Sequence, residues 1–228
     1  MLDFSREAFT KAIRTSIPKQ IIFNSKYPYV TIDSILKLNE ESINPMDFPN
    51  KKFTYVDIDS VEKETGIIHC NKQILGQDAP SRARRIAHKG DTVISTVRPN
   101  LHGFAYLDKE LVDTVFSTGF AILHPKSSKK ILSKYIYILF QNYPMLMQQM
   151  IDKMEKGQYP SINANDIKTF KIPLPPISIQ QQIIDECEKI DAEYESTRMS
   201  IEEYRKKVED LFNELDVISN RGGIDANN

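Results

Sequence analysis

Lys171-Ile-Pro-Leu-Pro-Pro-Ile-Ser-Ile-Gln-Gln-Gln-Ile-Ile184 is the stretch that decides how this chain is built. Pro173, Pro175 and Pro176 lack amide donors and have a fixed φ, so the segment reads as an extended, stiff elbow that no helix can run through. Ser178 and Gln181 then give the Ser-x-x-Gln pattern of a capping box, which predicts a helix starting there. Beyond it, apolar or semi-apolar residues recur at Ile183, Cys187, Ile190, Tyr194, Thr197, Ile201, Tyr204, Val208, Leu211 and Leu215, at alternating intervals of four and three. That is a seam with a period of ~3.5, the signature of a coiled coil. A helix folded back on its own domain is the plainer alternative, but its pattern would drift toward ~3.6 residues per turn. The expectation is a globular domain joined by an elbow to one long dimerisation helix.

The chain of 228 residues has room for one domain and this appendage, and its 40% hydrophobic and 27% charged content is that of an ordinary soluble protein. Cys70 and Cys187 are far apart and belong to no paired-cysteine motif, which argues against a disulfide framework or a structural zinc and for a reducing, cytoplasmic setting. Asp3 and Glu7 make the N-terminus unlike a signal peptide. The longest apolar run, Tyr135–Phe140, falls far short of the ~20 residues a membrane helix needs and reads as a buried helix or strand. The net charge of −1 is an average over unlike parts: residues 183–216 carry −7 and the last twelve are neutral, leaving +6 on residues 1–182. The acidic character belongs to the arm, and the globular part is basic.

Residues 4–16 suggest a short helix, and Tyr27-Pro-Tyr-Val opens the main domain. Strand-like runs follow at 53–58, 65–69, 84–87, 92–97, 104–107 and 120–123, separated by turn signals such as Lys89-Gly-Asp and Arg98-Pro-Asn. Helices are predicted over 130–141 and 144–153, with Pro144 suited to a first turn. The fold class is α+β: a helical extension over 1–25, a mixed domain over 26–176, the helix over 177–217 and a flexible tail over 218–228.

Positive charge is concentrated between Ala79 and Asn100, where Arg82, Arg84, Arg85, Lys89 and Arg98 face Asp91 alone. Guanidinium forks match phosphates and guanine edges, and Ser95, Thr96, Asn100 and His102 add neutral donors. Gln158, Tyr159 and Ser161 form a second polar loop, in which Tyr159 could stack on a base and Gln158 could pair with adenine. The bland readings are a solvated basic strand edge and a helix stop. Enzyme signatures are missing: His69, His88, His102 and His124 have no ligand spacing, and no phosphate loop or dinucleotide fingerprint is present. An Asn/Asp-Pro-Pro-aromatic motif is absent, and Asp166-Ile-Lys168, the nearest fragment of a metal-dependent nuclease, lacks a second carboxylate.

Four stretches together resemble the DNA-specificity (S) subunits of type I restriction–modification systems: Ala79-Pro-Ser-Arg-Ala-Arg-Arg-Ile, Gly90-Asp-Thr-Val-Ile-Ser-Thr-Val-Arg-Pro, Phe116-Ser-Thr-Gly-Phe-Ala-Ile-Leu and Ile167 through Ile190. The resemblance implies a target-recognition domain followed by a spacer helix, binding double-stranded DNA and contributing no catalytic residue. Methyltransferase (M) and restriction (R) subunits would bring S-adenosylmethionine, ATP and Mg. A full S subunit has two recognition domains and two spacer helices, so this chain looks like a half subunit that pairs with itself or with another half. The rival expectation is a coiled-coil adaptor whose head binds protein rather than DNA.

Overall fold

The computed structural model describes residues 25–63, 65–154, 160–197 and 201–215, with the backbone alone for 194–197 and 201–202. The helix expected over 4–16 lies outside them. The elbow is extended, as its prolines require: Lys171–Pro173 is strand β10, paired antiparallel with the opening strand β1, Tyr29–Thr31. Tyr29 lies opposite Pro173, so the two ends of the domain are tied together before the arm begins.

Between them the chain builds α1 (Ile32–Ile35), β2 (Leu36–Leu38), β3 (Lys52–Val56), β4 (Gln73–Leu75), β5 (Ala83–Arg85), β6 (Thr92–Ser95), β7 (Phe104–Tyr106), β8 (Thr114–Ser117), β9 (Phe120–Pro125), α2 (Ser133–Asn142), α3 (Pro144–Lys153) and α4 (Ala164–Thr169). One sheet runs β2-β9-β6-β7, antiparallel throughout; the other runs β4-β3-β8-β5, with β3 and β8 parallel. Successive side chains on a strand point to opposite faces, and here both faces of the first sheet are covered. Ile94, Phe104, Ala121 and Leu123 pack under the helices, while Val93, Ala105, Phe120 and Ile122 meet Val56 and Phe116 of the second sheet. Phe53, Tyr55 and Val115 form a small cluster on the outer face of that second sheet.

Two local expectations are corrected. Thr65–His69 is not a strand: the segment makes one isolated bridge, Val61 to Ile68, and Ile67 is exposed. The helix after the elbow, α5 (Ile177–Thr197), begins at residue 177 as expected but not through Ser178, because the Pro176 carbonyl already accepts the amides of Ile179 and Gln180. No capping box forms; Gln181 donates instead to Asp185 at 2.7 Å. Gln180, fully buried, takes over at the elbow: its oxygen accepts the Leu132 amide at 2.8 Å, and its nitrogen donates to the carbonyls of Lys130 and Pro175 at 3.0 and 2.8 Å.

The larger correction concerns the arm. In place of one uninterrupted helix over the seam, the described residues form α5 and a second helix, α6 (Ile201–Glu214), packed against each other and on α2. Lys207 bridges to Glu193 at 2.8 Å, so the helices run antiparallel. Ile183, Cys187, Val208 and Leu211, expected to face a partner, are buried in the chain's own core, and Phe212 stacks on Tyr143 at 6.2 Å. Ile190, Tyr204 and Leu215 pack at its margin; the side chains of Tyr194, Thr197 and Ile201 lie outside the described residues. In a lone chain these apolar faces have only each other and the domain to cover them.

Candidate functional site

The segments that carry the candidate residues meet at one edge of the two sheets. There the Thr118 amide, in the turn between β8 and β9, donates to the Arg82 carbonyl at 2.8 Å. The Thr96 amide and hydroxyl both donate to the Gly119 carbonyl, at 2.8 and 2.9 Å. Thr96 in turn accepts the Ile162 amide, Val97 bridges to Ser161, and the Arg98 amide donates to Pro160 at 2.8 Å. Four backbones thus lie side by side, in the order Arg82, Thr118-Gly119, Thr96-Val97-Arg98 and Pro160-Ser161-Ile162. Two strand spacings put the backbones of the first and third segments about 10 Å apart. Arg82, Arg98, Asn100 and Thr118 are exposed along this edge, and Ser161 is half-buried.

At its centre, a single helical turn, Pro99–Leu101, is flanked by two left-handed non-glycine residues, Arg98 (φ 48°, ψ 53°) and His102 (φ 54°, ψ 37°). Such backbone costs a residue with a Cβ about 1–2 kcal/mol and persists only where its surroundings hold it. Here they do: Arg98 is tied to Pro160, and Gly103 accepts the Ser95 amide at 3.0 Å. His102 turns inward, with Nδ1 3.3 Å from Gln141 and its ring beside Phe104. Asn100 and Leu101 are left at the exposed tip of the turn.

The other basic residues lie elsewhere. Arg84 and Arg85 are half-buried on β5; Arg84 donates to the Ala83 carbonyl at 3.0 Å, and the Arg85 Nε is buried with no hydrogen-bond partner. Lys89 stands at the opposite end of β6 from Arg98, its amide donating to Glu110 at 2.9 Å. Beside it the His88 ring lies between two carboxylates, Glu110 at 3.0 Å and Glu41 at 3.1 Å, and hydrogen bonding, to Glu110 first, raises its pKa. Asp91, the lone acid of the basic run, is buried and serves His124 Nδ1 at 2.7 Å and the His88 amide at 2.8 Å, not an arginine. Gln158 and Tyr159 lie outside the described residues, yet the adjoining Pro160 and Ser161 sit directly on the edge.

Thr118 escaped the sequence reading, although a Ser-Thr-Gly turn between two apolar runs was its signal. Asp166 is a helix cap, accepting the Asn163 amide at 2.9 Å while Asn163 accepts that of Asp166 at 3.1 Å. Burial pushes the Cys187 thiol up to about 12, which disfavours the thiolate a nucleophile needs. Among the described residues no group of three or more His, Cys, Asp or Glu could hold a metal, and no helix is long and apolar enough to cross a membrane.

A helix-covered sheet packed on a second sheet, closed by a proline elbow and continued by helices, defines a mixed α/β domain of the kind seen in HsdS subunits. Over residues 7–203 the chain matches the family described as type I restriction modification DNA specificity domain, and it belongs to that family. Specificity subunits of type I systems are non-catalytic DNA-recognition subunits. The crystal structure of the HsdS subunit from Thermoanaerobacter tengcongensis is similar with a TM-score of 0.67 and 29% identity, over 81% of this chain and 46% of that one. A structure described as the basis of complex assembly and conformational transition of the type I R-M system gives 0.66 and 28%, over 90% and 52%. The specificity subunit of the type I restriction enzyme HindI from Haemophilus influenzae is 25% identical over 128 residues, 56% of this chain and 28% of that subunit. This chain therefore spans about half the length of these solved relatives and matches 28% of the HindI subunit.

Proposed function

We propose that this chain reads one half of a DNA target as the specificity component of a type I restriction–modification system. The observation that carries the reading is the convergence of Arg82, Arg98, Asn100, Thr118 and Ser161, from four separate segments, on one exposed edge. A span of about 10 Å between the two arginine-bearing backbones suits a major groove about 12 Å wide. Arg82 and Arg98 contribute forked donors for phosphates or guanine, while Asn100, at the tip of a fixed turn, is placed to read a base edge. Gln158 and Tyr159, which precede Pro160 in the sequence, are further DNA contacts in this reading, on their chemistry alone. Arg84, Arg85 and Lys89 support the fold or the outer rim rather than the reading edge.

The chain pairs with a second copy, or with another half subunit, through the seam of its C-terminal helices, and that pair docks the M and R subunits. Those subunits supply S-adenosylmethionine, ATP and Mg; this chain supplies none of the chemistry. A mobility-shift titration on duplex DNA over a salt series tests the DNA reading. Each phosphate contact adds about −0.9 to the slope of log K against log salt, so the slope should be steep and Arg82→Ala and Arg98→Ala should weaken binding. Salt-independent binding, or none, would favour the protein-binding adaptor.

A further inference from the structure

The reading edge carries one side chain that its polar chemistry does not explain. Among the described residues five large apolar side chains stand exposed, Met46, Phe48, Ile67, Leu101 and Val112, and of these Leu101 alone belongs to that edge. It follows Asn100 at the tip of the Pro99–Leu101 turn, on the same edge as Arg82, Arg98, Thr118 and Ser161.

A lone exposed leucine is ordinary, but this one is held in place. The Leu101 amide donates to the Arg98 carbonyl at 2.9 Å and the His102 amide to that of Pro99 at 3.0 Å, which closes the turn. Its entrance is fixed by Arg98 on Pro160, and its exit by His102, which turns inward to Gln141. Gly103 then passes so close to β6 that a Cβ there would meet the Ser95 Cβ at 3.3 Å, and α3 packs beside the turn. Left-handed backbone at both Arg98 and His102 is disfavoured, so the fold gives up stability to keep Asn100 and Leu101 at the tip.

We propose that Leu101 reads thymine: its side chain packs on the C5 methyl of a thymine in the major groove, in the base pair that Asn100 reads or the next one. This rests on the DNA reading of the edge and names the base that this point of it selects. Of the four bases, thymine alone carries a methyl group on its major-groove face, where the others present donors and acceptors. Against a leucine those polar groups lose their water and gain no partner. Leu101 therefore attracts thymine and penalises the other three bases at one position. Neighbouring Cα atoms lie ~3.8 Å apart, close to the ~3.4 Å rise of the duplex, which keeps the contacts of Asn100 and Leu101 within one base step. Because the turn is already set in the free protein, little ordering opposes the contact.

The decisive change is made in the DNA, so the full chain stays intact. A duplex selected from a random pool by the wild type is remade with uracil in place of each thymine in turn, which removes the C5 methyl and leaves the base pairing as it was. One such exchange in each half-site should weaken wild-type binding roughly fourfold, the effect of one methyl-sized group withdrawn from an apolar contact. Leu101→Ala, folded by circular dichroism, should bind the thymine duplex more weakly and no longer tell thymine from uracil at that position. Leu101→Met, which keeps an apolar tip, should retain the preference. Asn100→Ala should also retain it, while losing discrimination at an adenine within one base step. A motif without thymine, uracil exchanges that cost nothing, or a uracil penalty as large in Leu101→Ala as in the wild type would overturn the thymine contact and leave DNA recognition by the edge standing. A pool that stays random would remove the DNA reading itself, and this inference with it.

Discussion

Arg98 allows backbone strain and DNA binding to be separated at one position. Its φ of 48° lies where a Cβ is disfavoured, and its side chain stands on the exposed edge. Arg98→Ala and Arg98→Gly both remove everything beyond the Cβ, so they lose the same side-chain interactions and differ in the Cβ alone. Removing the Cβ should recover about 1–2 kcal/mol of left-handed strain, against about 0.5–1 kcal/mol for the greater freedom of an unfolded glycine. The glycine variant should therefore be the more stable by roughly 0.5–1 kcal/mol, the reverse of the usual order. For a domain of this size that is about 1–4 °C in Tm, within reach of differential scanning fluorimetry or a urea titration. Both variants should lose DNA affinity equally, by ~1–3 kcal/mol if the guanidinium reads a base. An alanine variant more stable than the glycine one would refute the strained turn. Unequal losses of affinity would show that the backbone, not the guanidinium, makes the contact.

His88, half exposed between Glu110 and Glu41, has its pKa raised above the ordinary 6.5 by hydrogen bonds to those carboxylates. Its stabilising contribution is thus complete below pH 6.5 and fades as pH climbs through the raised value, so Tm should fall over that window and His88→Gln should flatten the profile; a profile unchanged by the substitution would remove the clamp. Gln180→Leu leaves the Leu132 amide and the carbonyls of Lys130 and Pro175 without their buried partner, and should cost about 2–4 kcal/mol in a urea melt. A loss under ~0.5 kcal/mol, the range of ordinary surface substitutions, would mean that the latch contributes nothing.

What was legible in the sequence depended on range. Helix α3 was readable to the residue at both ends, because Pro144 sets its first turn. Strands β6 and β9 were readable as apolar runs, since both faces of their sheet are buried. Strands β2, β4 and β8 passed unseen, although β5 and β7 are as short and were read. The parallel pairing of β3 with β8 joins residues some sixty positions apart, which no local pattern encodes. The basic run identified Arg82 and Arg98 as charges but could not say that they share an edge, because Thr118-Gly119 and Pro160-Ser161 bring them together. The same run included Lys89, which its strand carries to the far end. The seam was legible as a run of apolar positions, but its division into α5 and α6 was not, since a heptad pattern is satisfied equally by the same chain or by another.

Sequence-specific DNA recognition by the edge around Arg82 and Arg98 is tested most directly by selection of bound duplexes from a random pool. Wild-type protein should enrich a short motif, present as two inverted copies across unread bases where two copies of the chain pair, because a two-fold axis maps one reading edge onto the other. The doubly substituted Arg82→Ala, Arg98→Ala protein, folded by circular dichroism, should enrich nothing. A wild-type pool that stays random, or one whose motif survives both substitutions, would contradict the account.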